Sequence, residues 1–75
     1  MSGQRMGTAI EHDWLEAVSL LRAGERIDVA KDADGDLMVS IRKGKRIMPG
    51  AFESCVDAEI AIHFVQNWLY AREYQ

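Results

Sequence analysis

Arg42, Lys43, Lys45 and Arg46 bracket Gly44 and form the strongest polar signal in the chain. Like charges gathered at one turn repel one another and become favourable only against a counter-charge. Such a cluster could clasp phosphates or dock into an acidic protein groove, and on an edge strand it would also discourage pairing with other chains. Three other groupings suggest chemistry and fall short of it. Asp32, Asp34 and Asp36 resemble the first half of a calcium loop, but its sixth and twelfth positions fall on Leu37 and Lys43, where glycine and glutamate are needed. Cys55 is expected in the first turn of a helix, where the dipole would activate a thiol, yet Glu53 and Asp57 oppose ionisation. Neither His12 nor His63 is placed to act as its base. A lone cysteine with two scattered histidines offers no close pair of zinc ligands, and no glycine-rich phosphate loop is present. The expectation is therefore a chain with no enzymatic activity, no metal and no cofactor.

Composition bounds the partners. The 75 residues carry 12 acidic and 9 basic groups for a net charge of −3, so no global attraction to nucleic acid or anionic lipid is expected. The cations instead concentrate in residues 25–48, and both flanking segments are net acidic. One cysteine rules out an internal disulfide framework, and the N-terminal MSGQRMG contains no apolar run. A soluble, cytoplasmic chain with no membrane association is the expectation. Its hydrophobic fraction of 48% is that of a globular domain.

Period and turn chemistry predict the elements that hold these residues. Residues 1–7 have two glycines and no rhythm, and read as a flexible terminus ahead of one domain over 8–75. Capping-box patterns at Thr8/Glu11 and Asp13/Glu16 place a helix start near 9 or 14, and Gly24 ends that helix. ERIDVAK and DLMVSIR then alternate with period 2, joined by the turn residues 32–36. A second tight turn at Lys43-Gly44-Lys45 leads to a short strand over 46–48, ended by Pro49-Gly50. Phe52 is expected to fold back onto the core. Residues 54–74 read as an amphipathic helix capped by Ser54 and Asp57, with Ala58, Ile60, Ala61, Ile62, Phe64, Val65, Trp68, Leu69 and Ala71 on its apolar side. The predicted class is α+β, a two-layer α-β-β-β-α domain. In it Ile27, Val29, Leu37, Val39, Ile41 and Ile47 form the face of a three-stranded antiparallel meander that takes both helices.

The closing helix has an apolar arc of roughly 200°, wider than the 100° or so that one sheet covers. Ile62 and Leu69 at its margin read as surplus surface, with Tyr70 and Tyr74 beside them as amphipathic interface aromatics. A protein partner, or a second copy in a homodimer through the C-terminal helix, would bury that patch. The alternative is that the N-terminal helix wraps far enough to cover it within one monomer.

The element order from Thr8 to Tyr74 resembles the double-stranded-RNA-binding domain. That family holds phosphates with a lysine cluster at the start of its last helix. Here those positions are Ser54, Cys55, Val56, Asp57, Ala58 and Glu59, an acidic start that would repel the ligand. The size, acidic balance, hairpin GDLMVSIRKGKRIMPG and helix after AFESCVDA are also similar to small phage proteins of the anti-CRISPR kind. That resemblance implies a non-enzymatic inhibitor or adaptor occupying a surface of a larger complex. The alternative function is nucleic-acid binding through Arg42, Lys43, Lys45 and Arg46.

Overall fold

A computed structural model describes residues 2–74, with side chains from residue 11 onward. Helix α1 (Ser2–Ser19) is followed by strands β1 (Glu25–Lys31), β2 (Leu37–Lys43) and β3 (Arg46–Cys55), then helix α2 (Ala58–Glu73). The strands form an antiparallel meander in the order β1-β2-β3. The architecture is the predicted α-β-β-β-α, a compact α+β fold.

Period 2 in β2 sorts its residues cleanly. Val39 and Ile41 point into the core with Leu37 packed beside them, while Met38, Ser40 and Arg42 take the opposite face. Paired residues share a face, so Ile27 joins Ile41 on the helix side and Cys55 joins Leu37. Helix α2 lays Ala61, Ile62, Val65 and Leu69 onto this surface. Helix α1 contributes buried Ala17, with Trp14, Leu20 and Leu21 packed at the margin of the same core. Each such large side chain contributes about 1.5–3 kcal/mol when taken out of water.

The structure differs from the sequence expectations in several places. The first helix begins at Ser2, ahead of both capping boxes. It ends through amides of Leu20 and Leu21 that donate to Ala17 and Val18 carbonyls at 3.0 and 3.1 Å, followed by Gly24 at φ 84°. The last helix starts three residues late. Ser54 is strand, and Asp57 is the cap, its carboxylate accepting from the Ile60 amide at 3.0 Å.

Pro49-Gly50 does not end β3 but bends it. Ser40 faces Phe52 and Arg42 faces Ile47, so residues 48–51 stand opposite Ile41 alone. A proline without an amide donor is tolerated here because β3 is an edge strand, and Gly50 at φ 70° supplies the conformation that the bulge requires. The bulge also changes which face later residues occupy. Ile47 lies with Arg42 on the open face, and Phe52 lies there with Ser40 at 47% exposure, not in the core.

Ile62 and Leu69 are not surplus surface. They are 1% and 0% exposed. The reason is that α2 is packed from two directions, by β2 and β3 on one side and by α1 on another, so an arc too wide for a sheet alone is covered within the monomer. A homodimer resting on those two residues has no surface to use. Their neighbour Ile60 is exposed instead, as are Tyr70 and Tyr74, the latter at 88%.

Candidate functional site

Local chemistry first fixes the corner from which the site is built. Glu25 opens β1, and its carboxylate is almost completely buried against Arg72 of α2, with Nη1 to Oε2 at 2.6 Å. The other Glu25 oxygen accepts from the Arg22 amide at 2.7 Å. Arg72 Nη2 donates to the Leu20 carbonyl at 3.3 Å. Three elements, the end of α1, the start of β1 and the end of α2, are therefore tied by one guanidinium whose planar fork suits several acceptors at once. The hydrogen bond from Arg72 is the main reason the Glu25 carboxyl is held below its ordinary pKa, outweighing the opposing effect of burial.

The same guanidinium stacks over Trp68, 4.9 Å from the ring centroid. Trp68 Nε1 in turn donates to the Pro49 carbonyl at 3.0 Å, fastening α2 to the bulge in β3. This bond explains the bulge functionally: it turns a carbonyl away from the ladder and toward the helix. The result is an open groove of about 420 Å³ lined by Met48, Pro49, Trp68, Ala71 and Arg72.

A second cleft of about 380 Å³ adjoins it, lined by Lys43, Arg46, Ile47, Met48 and Pro49. Met48 and Pro49 belong to both, so an apolar and aromatic groove meets a cationic one along the bulged strand. The predicted basic cluster is divided by this geometry. Arg42 is engaged on the open face of the sheet, 3.1 Å from Asp28 and 3.2 Å from the Ser40 hydroxyl. Among the described residues Lys43, Lys45 and Arg46 take part in no ion pair, and all three are exposed at the turn. Arg26 adds a further cation at this end and braces the turn by donating to the Gly44 carbonyl at 2.6 Å.

The other candidates separate from this site. Tyr70 and Tyr74 are exposed but line neither cleft. Asp32 turns its carboxylate onto its own loop, accepting from the amides of Asp34 and Asp36 at 2.9 Å each, an Asx turn and not a cation cage. Among the described residues no group of three His, Cys, Asp or Glu side chains could hold a metal ion. Cys55 is buried, and its thiol pKa is raised first by burial and then by Glu53 and Asp57, the opposite of an activated nucleophile.

Sequence reasoning places Trp68 on the apolar side of the closing helix and gives no site role to Arg72 or Glu25. The available signal was Pro49-Gly50 followed by six more residues before the Asp57 cap. A strand interrupted by a bulge accounts for that length better than a loop does.

Among the described residues no helix is long and apolar enough to cross a membrane. Comparison with protein-family models, with curated proteins and with solved structures finds no match to this chain.

Proposed function

We propose that this chain is a non-enzymatic protein-binding module, of the inhibitor or adaptor kind, that occupies a surface of a larger complex. The observation that carries the reading is the junction at Met48 and Pro49, where Lys43 and Arg46, which form no ion pair among the described residues, adjoin an aromatic groove. An acidic protein segment that also presents an apolar side chain satisfies both halves. The charges would guide approach and orientation, and the groove would supply the desolvated anchor. A nucleic-acid duplex would use the cations alone, leaving the groove unfilled.

Immobilised full-length protein, exposed to lysate of its native host, should retain a protein partner after nuclease treatment. Retention should be lost both in Lys43→Gln/Lys45→Gln/Arg46→Gln and in Ala71→Gln, which fills the groove from an exposed helical position without touching the core. Capture that vanishes with nuclease, falls steeply and log-linearly with salt, and ignores Ala71→Gln would establish the nucleic-acid reading in its place.

A further inference from the structure

The two edges of the sheet are defended unequally. The β3 edge carries Pro49, the bulge and Gly50, devices that stop strand addition. The β1 edge carries none of them: Glu25–Lys31 pairs with β2 in continuous register from end to end. Its backbone orientation can be read from the turn. The Asp32 amide donates to the Asp36 carbonyl at 2.9 Å, so this pair is hydrogen-bonded and, by the alternation of an antiparallel ladder, Ala30 and Asp28 also point toward β2. Ile27, Val29 and Lys31 therefore direct their amides and carbonyls outward. Glu25 shares that direction, but its amide already donates to the Arg22 carbonyl at 3.0 Å.

We propose that the β1 edge pairs antiparallel with β1 of a second copy about a two-fold axis at Val29, joining two meanders into one continuous sheet. The register follows from which groups are free and which charges meet. Centring on Val29 sets Val29 against its symmetry mate and Ile27 against Lys31, so all three outward-facing residues find outward-facing partners. On the other face Asp28 meets Ala30, and beyond it Arg26 meets the oppositely charged Asp32. Centring one residue earlier places Asp28 on Asp28, a like-charge pair that opposes association. Centring on Ile27 sets Val29 against Glu25, whose amide is already engaged. Val29 lies on the helix-bearing face yet is 48% exposed, and the symmetric pairing covers it. The axis is perpendicular to the sheet, so the helices of both copies lie on one side.

Charge exchange at the axis tests both the association and its register. Sedimentation equilibrium of the wild-type chain should show a concentration-dependent rise from 8.5 kDa toward twice that mass. Val29→Lys and Val29→Glu should each remain at the monomer mass, because each places like charges across the axis. An equimolar mixture of the two should associate again as the mixed pair, with hydrogen-exchange protection returning at the Ile27, Val29 and Lys31 amides. Because Val29 is half exposed, both variants should retain the wild-type circular dichroism spectrum, and loss of that spectrum is checked with Lys31→Pro, which removes an outward-facing amide from an exposed position without breaking a bond to β2 and should also remain monomeric. A wild type that stays monomeric into the hundreds of micromolar overturns the proposal. So do variants that dimerise alone, or a mixture that behaves as its separate components.

Discussion

The two turns of the sheet carry opposite charges and use them differently. At the β1–β2 turn Asp32 is engaged with its own backbone, closing the loop onto the Asp34 and Asp36 amides. At the β2–β3 turn Lys43, Lys45 and Arg46 make no ion pair with the described residues. Side-chain length and chemistry explain the contrast. A short carboxylate is an acceptor that reaches amides two to four residues away, whereas a long ammonium or guanidinium is only a donor and extends past the turn into solvent. Acidic turn residues can thus become part of the fold. Basic ones need a more distant carbonyl or carboxylate, as Arg26 finds at Gly44 and Arg72 at Glu25. Those that find none are left available for a partner.

Arg72 marks the extreme of engagement at the basic end, and removing it should produce the largest effect. Arg72→Met leaves the Glu25 carboxylate buried without its counter-charge, and a loss of about 3 kcal/mol is expected. Only about 4–10 kcal/mol is available to a domain of this length. Urea titration measures it as a lowered midpoint. The pH dependence should change as well. Because the folded-state pKa of Glu25 is lowered, chiefly by Arg72, its contribution is present above the unfolded value of about 4.3 and is lost as pH falls through the folded value. Wild type should therefore lose stability steadily below that point. Arg72→Met should lose less over the same interval, and an unchanged acid slope would mean that the pair does not govern Glu25.

The acidic turn supplies the next effect in size. Asp32→Ala removes the acceptor for two amides and should cost about 1–2 kcal/mol, whereas Asp32→Asn keeps an acceptor oxygen and should recover much of the loss. Asp34, whose side chain makes no hydrogen bond among those described, should be replaceable by Ala at almost no cost in thermal stability. Equal losses at Asp32 and Asp34 would show that net charge, not the Asx turn, holds this loop.

The legible parts of this molecule were those governed by local periodicity. Alternation in 25–31 and 36–42 identifies both strands of the first hairpin, and the 3.6 period identifies both helices, because each pattern is repeated over several residues and needs no tertiary knowledge. The basic turn was legible for the same reason, as four neighbouring cations. What escaped depends on residues distant in sequence. Ile62 and Leu69 looked like surface because the wrapping of α1 around α2 is not written in α2. Pro49 looked like a strand end because the bond from Trp68, nineteen residues later, is what makes a bulge useful there. The groove beside the cations depends on that same long-range contact, since Pro49 and Trp68 both line it.

The smallest stability effect belongs to the free cations themselves, and it separates a binding surface from an architectural one. Glutamine at Lys43, Lys45 and Arg46 keeps the Cβ and Cγ methylenes of each stem, including the Lys43 Cγ that lies beside Gly24. With no described ion pair lost, the triple variant should unfold within about 0.5 kcal/mol of wild type. Relief of mutual repulsion makes a slight gain the expected direction at low ionic strength. Salt should distinguish this from chance agreement: screening stabilises the wild-type cluster as the Debye length shrinks from about 30 Å at 0.01 M to about 3 Å at 1 M, and the variant should lack that increment. A loss above about 1 kcal/mol, comparable with Asp32→Ala, would mean that both turns are structural. The cations would then be held by the fold and unavailable to a partner.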